Sequence, residues 1–253
     1  MKRLIFTLSL LITLAITAYA GSPETLHYVV TYKWGLIQKD AGDVKITKHD
    51  QGDKYELRLV AKTRPWADRI YRLRDTLVSV TKKEKYAPLT YTYIAHEKNK
   101  YRRDDIKFTY SGNTVKGDAK KYKSDKNGNV TGDTHQLEGT FPAYDMLSVY
   151  FFLRDIDYAN LKPGESIHAT IFSGSKEEFL DVRCEGKEKI TLRDKTEHEA
   201  WHILFKFTQK GGTKSSDDID CWISTAAPHI PLLIIGNLPI GQVRVNYQAN
   251  PAE

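Results

Sequence analysis

Apolar and polar residues alternate with a period of two along most of the chain, which is the pattern of β-strands with one buried face. The clearest example runs from Leu26 to Trp34, where Leu26, Tyr28, Val30 and Tyr32 share one face. Similar segments, about a dozen in all and bounded by turn residues, occur on both sides of residue 140. The pattern predicts an all-β, mainly antiparallel fold, with a curved sheet or open barrel in two halves.

Two stretches within this pattern lack a clear strand signal. Residues 132–139 are typical of a loop. The apolar stretch Pro228 to Pro239 holds three prolines and is predicted to be an edge strand or a packed loop.

One segment, Phe141 to Tyr158, departs from the alternation and has apolar residues spaced by three and four, which predicts a helix over about 142–158. The apolar face consists of Met146, Val149, Tyr150, Leu153 and Ile156. The run Asn-Leu-Lys-Pro-Gly at 160–164 ends it. We interpret residues 141–160 as a central helix between an N-terminal half (21–140) and a C-terminal half (161–250) of a single β-rich domain, 21–253.

Residues 1–20 have the composition of a signal peptide, with a basic start, an apolar core and Ala18-Tyr19-Ala20 before the cleavage point. The apolar core is short for a membrane span, so an uncleaved anchor is the weaker alternative. No cysteine is near the cleavage point, which excludes a lipoprotein anchor there. Cleavage after Ala20 would leave 253 − 20 = 233 residues in the periplasm or secreted.

The charge of the chain is mildly basic, with 38 Lys and Arg against 32 Asp and Glu. Removal of Lys2 and Arg3 lowers the net charge from +6 to +4. Export argues against a nucleic-acid partner, and an anionic envelope surface suits this charge better. The basic residues cluster between Lys98 and Lys126, as either a solvated hairpin or a binding patch. The candidate patch residues are Lys98, Arg102, Arg103, Lys120 and Lys121.

Aromatic residues are abundant on the alternating faces, since the chain has 15 Tyr, 9 Phe and 4 Trp. They either fill the core or line an apolar cavity of the kind that curved sheets enclose. The candidate cavity residues are Tyr28, Tyr32, Tyr55, Tyr91, Tyr93, Met146, Tyr150, Leu153, Phe205 and Phe207.

The two cysteines, Cys184 and Cys221, both lie in strand-like segments. An exported chain meets oxidising conditions in which a disulfide can form. In a simple meander, however, two strands would separate the pair, which is too far for a bond. The sequence leaves both possibilities open.

Residues His198-Glu199-Ala200-Trp201-His202 match the H-E-x-x-H signature, in which a helix brings two imidazoles to one zinc ion and the Glu activates water. The context favours a strand, because Trp201 begins an alternation through Phe207. On a strand the two histidines are about 13 Å apart. A third ligand is also uncertain, since Phe205 stands where a metzincin has Gly and no Glu lies between His202 and Glu253.

Several stretches together resemble a known family. They are YVVTYKWGLIQKDAG at 28–42, DMLSVYFFLR at 145–154, KPGE at 162–165, and WISTAAPHIPLLI with IGQVRV near the end. The chain resembles the bacterial exported family called domain of unknown function 3108 over most of its length. The resemblance implies an envelope setting and an all-β fold with one helix. It supplies no activity and no catalytic residues.

Together these observations predict a non-enzymatic periplasmic protein, without a cofactor, that binds an apolar or amphipathic envelope molecule such as a lipid. One alternative is a zinc-dependent hydrolase that uses His198, Glu199 and His202. The other is an envelope scaffold that binds glycan or protein through an exposed aromatic face.

Overall fold

The computed structural model describes residues 22–97, 100–125, 127–162, 164–212 and 215–249. The predicted signal peptide (1–20) and the basic residues Lys98 and Lys126 lie outside the described residues.

The described part of the chain forms a single sheet of 15 strands. The strands of the N-terminal half are β1 (Glu24–Trp34), β2 (Ile37–Asp50), β3 (Lys54–Thr63), β4 (Leu73–Lys82), β5 (Pro88–Glu97), β6 (Lys100–Ser111), β7 (Thr114–Ser124) and β8 (Val130–Thr140). The others are β9 (Ala143–Asp145), β10 (Ser166–Ser173), β11 (Lys176–Thr191), β12 (Glu197–Gln209), β13 (Ile219–Ser224), β14 (Pro231–Asn237) and β15 (Gln242–Gln248). The helices are α1 (Pro65–Asp68) and α2 (Ser148–Arg154), with 3-10 turns at Glu84–Tyr86 and Tyr158–Asn160.

The sheet is a meander in each half, and the first strand joins the two halves, because β1 pairs with both β2 and the last strand, β15. The resulting order runs from β8 down to β1, then from β15 down to β9. The two ends of this order approach each other. The Glu138 amide on β8 donates to Glu177 on β11 at 2.9 Å, and the Thr170 hydroxyl on β10 donates to the Thr140 carbonyl at 3.1 Å. The sheet is therefore a nearly closed barrel, and the predicted fold class is confirmed.

Two stretches without a clear strand signal are in fact regular strands. Residues 130–140 form β8, which pairs with β7 along its whole length. Residues 231–237 form β14, which is an interior strand between β13 and β15 and not an edge strand or a loop. The prolines permit this because Pro231 is the first residue of the strand, while Pro228 and Pro239 lie outside it.

The central helix is shorter than the predicted 142–158, since α2 spans only Ser148–Arg154. Its start is fixed by Asp145, whose carboxylate accepts from the amides of Leu147 and Ser148 at 2.8 and 2.7 Å. The Ser148 hydroxyl in turn accepts from the Asp145 amide at 2.9 Å, so the two residues bond reciprocally across the turn before the helix. Residues 143–145 pair with β10 as the parallel strand β9. Met146 precedes the helix and is exposed, so its predicted place on the buried face is wrong.

This central segment divides the interior into two apolar cores. Leu147 and Phe151 pack into the first core with the inner faces of β1–β8, whereas Val149 and Leu153 pack into the second core with β10–β13. The two sides of α2 are therefore both buried. This arrangement agrees with the interpretation of the segment as a brace between two halves.

Strand β10 also separates the two cores, because Ile171 faces the second core while Phe172 faces the first. The ring of Phe172 stacks on Phe108 with centroids 5.4 Å apart. Two glycines permit the close approach. A Cβ at Gly117 would lie 2.8 Å from the Phe172 ring, and one at Gly139 would lie 2.5 Å from the Thr170 methyl group.

Arg154 fastens the end of α2 to two distant parts of the chain. Its guanidinium pairs with Glu24 at the start of β1 at 2.5 Å and donates to the Pro228 carbonyl at 2.9 Å. Glu24 also pairs with Lys48 at 2.9 Å. A cation in the last turn of a helix also interacts favourably with the helix dipole.

The cysteines lie on β11 and β13 and are both free. Only β12 separates them, because Cys184 and Cys221 both pair with Ile203. Two strand spacings correspond to about 10 Å, which is beyond the reach of a disulfide.

Candidate functional site

The inner face of the first core is incompletely filled. On β2, β3, β4 and β5, the inner face is marked by the buried residues Ile46, Leu57, Ser79 and Tyr91. The next residues along that face are only partly buried, although alternation points them inward. These residues are Val44, Leu59, Leu77 and Tyr93. Their exposure shows that solvent-accessible space remains inside this half of the barrel, and we call the space bounded by the inner faces of β1–β7 the lumen.

The lumen has an open end where β1, β3, β5 and β7 finish and where β2, β4 and β6 begin. A cavity of about 170 Å³ at this end has a mainly apolar wall that includes Val30, Val44, Ala61 and Leu73. A second cavity, of about 430 Å³, has a charged wall. Its charged wall residues are Glu97, Lys100, Arg102, Lys123 and Asp125. The two cavities are neighbours, because Leu73 pairs with Glu97 across β4 and β5.

A set of buried polar groups lies between the apolar wall and the charged wall. The Tyr93 hydroxyl donates to the Asp75 carboxylate at 2.9 Å, and the Arg102 guanidinium lies over the Tyr93 ring and pairs with Asp104. Burial raises the pKa of Asp75, and burial together with this hydrogen bond raises the pKa of Tyr93. Within the described residues, Asp75 Oδ1, Asp104 Oδ1 and Arg102 Nε have no hydrogen-bond partner. These atoms can therefore serve a polar group of a ligand or a bound water.

The opposite end of the lumen is closed by an aromatic stack. Tyr86 stacks on Tyr55 with centroids 5.5 Å apart and lies 5.4 Å from Phe151 of α2. The ammonium of Lys48 lies within 6 Å of all three rings. These rings thus cover the lumen at the end opposite the two cavities.

The structure divides the candidate cavity residues between the two cores. Five of them belong to the first core: Tyr28, Tyr55, Tyr91, Tyr93 and Tyr150. Tyr28 and Tyr150 share a hydroxyl–hydroxyl hydrogen bond of 2.6 Å. Leu153, Phe205 and Phe207 belong to the second core, and Met146 belongs to neither. Tyr32 lies near the open end, where its hydroxyl donates to the Ile240 carbonyl at 2.7 Å.

Sequence reasoning missed the aliphatic wall of the lumen, Val44, Leu59 and Leu77. These residues share the two-residue period of the fully buried residues of the same strands. The alternation therefore gave their face, but nothing in it indicated that they border open space.

The H-E-x-x-H motif lies on a strand, as predicted, because β12 includes both His198 and His202. Four residues of extended chain separate the imidazoles by about 13 Å, which is too far for one ion. His202 instead stacks on Trp222 with centroids 4.5 Å apart and contacts the Asp220 carboxylate at 2.8 Å. His198 contacts the Thr196 hydroxyl at 2.9 Å. In the part of the chain that the structure describes, no group of three or more His, Cys, Asp or Glu could hold a metal ion.

The basic residues of β6 and β7 do not form a single patch. Arg102 and Lys121 are on the inner face, where Lys121 donates to the Ser175 hydroxyl at 3.3 Å. Arg103 is on the outer face and pairs with Asp105 at 2.7 Å, and Lys120 is exposed. Only the inner residues can contribute to the entrance of the lumen.

The single curled sheet, whose two ends approach each other, defines a barrel-like β protein. A solved structure described as the β-barrel-like protein of domain of unknown function DUF1849 from Brucella abortus superimposes on this chain with a TM-score of 0.55. The two are 11% identical, and the match covers 89% of this chain and 95% of that one. At this identity the similarity shows the fold alone.

The chain belongs to the family described as protein of unknown function (DUF3108), which matches residues 27–248. A search of curated proteins gives no significant match. Among the helices that the structure describes, none has both the length and the apolar character needed to cross a membrane.

Proposed function

We propose that this protein binds an apolar or amphipathic molecule, such as a lipid, in the lumen, and that it acts in the periplasm or outside the cell without catalysing a reaction. The observation that carries the proposal is the partial exposure of Val44, Leu59, Leu77 and Tyr93 on an inner face. Leaving such apolar surface in contact with water is unfavourable by about 25 cal/mol per Å². An acyl chain or a similar group in the lumen would cover it.

The open end suits the polar part of such a ligand. The charged wall there carries Lys100, Arg102 and Lys123 against Glu97 and Asp125, so positive charge is in excess by one. Arg102 and Asp104, on the inner face of β6, also have buried polar atoms without a hydrogen-bond partner among the described residues. These groups support an orientation with the apolar part inside and an anionic or polar group at the entrance.

A matched pair of variants tests the proposal. Ala61 lies on the inner face and lines the apolar cavity, whereas its neighbour Val60 is exposed on the outer face. Ala61→Trp places an indole in the lumen, and Val60→Trp places the same group in solvent. Delipidated wild-type protein should take up a fluorescent fatty acid, and Ala61→Trp should bind it at least about tenfold more weakly, which is about 1.4 kcal/mol.

The Val60→Trp variant should bind like the wild type, and thermal unfolding of both variants confirms that each is folded. The proposal is wrong if the delipidated wild type takes up no fatty acid or detergent. It is also wrong if Ala61→Trp, folded, binds as well as the wild type.

A further inference from the structure

Large apolar side chains are exposed together at the open end of the barrel. The turn between β1 and β2 carries Trp34, Leu36 and Ile37, which are 57%, 105% and 59% exposed. Ile70, after α1, is 71% exposed, and the turn between β14 and β15 carries Leu238 and Ile240, at 47% and 64%. We call these six residues the apolar tip.

The three turns that carry the apolar tip are held beside one another. The β1–β2 and β14–β15 turns are neighbours because Lys33 pairs with Gln242, and the Tyr32 hydroxyl donates to the Ile240 carbonyl at 2.7 Å. The α1 segment is fixed to the base of β2, where the Trp66 indole donates to the Asp40 carbonyl at 2.6 Å. The three segments therefore lie at the same end of the barrel, and the two hairpin turns are side by side.

The backbone of the two hairpin turns holds these side chains outward. Gly35 and Gly241 adopt φ values of +55° and +83°, a region that residues with a Cβ rarely enter. The Leu238 amide closes its turn on the Gly241 carbonyl at 3.0 Å. Leu36 is consequently at the apex of a tight turn with nothing packed on it, as its exposure shows.

The charges beside the apolar tip are unbalanced. The carboxylates of Asp40 and Asp43 are engaged by Arg64 at 3.1 and 2.6 Å, and Asp40 is also engaged by Arg193 at 2.8 Å. By contrast, a set of exposed basic residues at this end forms no ion pair with any described residue. The set comprises Lys33, Lys39, Arg69, Arg72 and Lys100. These basic residues outnumber Glu97 and Asp125, the acidic residues of the charged wall at the same end, so positive charge is in excess there.

We propose that the apolar tip docks on the surface of an anionic lipid bilayer, with Trp34, Leu36 and Ile240 in the interfacial layer and the basic residues against the lipid phosphates. Projecting turns with aliphatic and indole side chains, flanked by basic residues, fit the boundary between headgroups and acyl chains. A protein partner would fit a continuous packed face better than three separate turn tips.

Docking in this way turns the entrance of the lumen toward the membrane. The cavity walls at Leu73 and Glu97 are at the same end of the barrel as the apolar tip. A ligand that enters or leaves the lumen would then pass directly between protein and bilayer. The docking itself rests on the tip residues and does not require the lumen to hold a ligand.

The test uses the full chain from residue 21, in flotation with vesicles of phosphatidylglycerol and phosphatidylcholine. The double variant Leu36→Asp/Ile240→Asp adds charge to two exposed positions, so it should fold normally. Phe179→Asp is the matched control, because Phe179 is exposed at 48% on the outer face of β11, away from the tip. Wild type and Phe179→Asp should float with anionic vesicles. The fraction of the double variant that floats should be at least about tenfold lower.

Binding should weaken in the variant Arg69→Gln/Arg72→Gln, in high salt, and with vesicles of phosphatidylcholine alone. The double variant should still take up fluorescent fatty acid from solution, which separates this proposal from the proposed function. If it loses both properties while remaining folded, the tip belongs to the ligand site and the docking proposal is wrong.

Two other results also overturn the proposal. One is the absence of wild-type binding to anionic vesicles. The other is a wild type that does not bind vesicles but forms a concentration-dependent dimer in light scattering, which the double variant abolishes. The apolar tip would then be an interface between two copies of the chain.

Discussion

Removal of the Arg154 guanidinium should strongly destabilise the fold, because this single group joins α2, the first strand and the loop before β14. The side chain is only 6% exposed and pairs with Glu24. It also donates to the carbonyls of Pro228 and His229. In Arg154→Met the packing volume is largely kept, while these carbonyls and one side of Glu24 lose their partner.

The magnitude follows from the burial of the pair. Loss of one partner of a buried ion pair costs about 3–5 kcal/mol. Glu24 keeps Lys48 at 2.9 Å, so we expect the lower end, about 3 kcal/mol. For a chain of this size that corresponds to a fall in Tm of about 6–12 °C. The exposed Arg58→Met is the matched control and should change stability by less than about 0.5 kcal/mol.

The pH dependence gives the prediction a second readout. Partial burial opposes ionisation of Glu24, but hydrogen bonds and charge from Arg154 and Lys48 outweigh it and lower its pKa below the ordinary 4.5. A carboxyl whose pKa is lowered on folding stabilises the protein above that ordinary value, and the contribution is lost as pH falls through the lowered pKa. The stability difference between wild type and Arg154→Met should therefore shrink as the pH falls below 4.5.

Urea unfolding followed by circular dichroism at pH 7 and at pH 3 measures both quantities, and the cycle with Glu24→Gln isolates the coupling between the two residues. A loss of less than about 1 kcal/mol at pH 7 would refute the reasoning, since it would mean that the guanidinium is dispensable. A difference of equal size at both pH values would show that Glu24 is not the group responsible.

Two further predictions concern the partition and the cysteines. Phe172→Ala should cost about 3–5 kcal/mol in urea unfolding, because the ring is fully buried in the first core against Phe108, whereas the exposed Phe179→Ala should cost less than about 0.5 kcal/mol; similar losses for both would contradict this packing. In native protein a thiol reagent followed by mass spectrometry should label Cys184 at most, since Cys221 is buried and burial raises the pKa of its thiol; a second label should appear only after unfolding. The prediction is wrong if the protein, in buffer without reductant, reacts at neither cysteine even after unfolding and has a mass lower by two hydrogens. That result would show a disulfide, which this fold cannot form.

The strands could be predicted from the sequence because alternation is a local property. In β1 and β12 every second side chain must enter the core, so the extended state of His198–His202 was decided by the residues that follow it. Apolar spacings of three and four, also a local property, placed a helix near residue 150 between two β halves. The signal peptide, the bound molecule and the cellular location stay predictions.

The length of α2 could not be obtained in this way. The helix was predicted from about residue 142, but pairing of β9 with β10 and the hydrogen bonds of the Asp145 side chain move its start to Ser148. The pairing joins segments that are far apart in the chain. The Asp145 side chain is also held by a distant residue, since it accepts a hydrogen bond from Ser79 on β4. β14 was missed for a related reason, since the pattern did not show that Pro231 begins the strand and that the other two prolines lie outside it.

What the sequence by itself determined is which residues face inward, because that depends only on the two-residue period of the backbone. Only the tertiary structure decided how much space those residues enclose. Leu59 and Leu57 have the same pattern, yet one borders an open lumen and the other is fully buried, because the curvature of the whole sheet sets the volume. It also decided which turns meet. The apolar residues near Gly35 and Gly241 are more than 200 positions apart in the chain, and the pairing of β1 with β15 brings them to one surface.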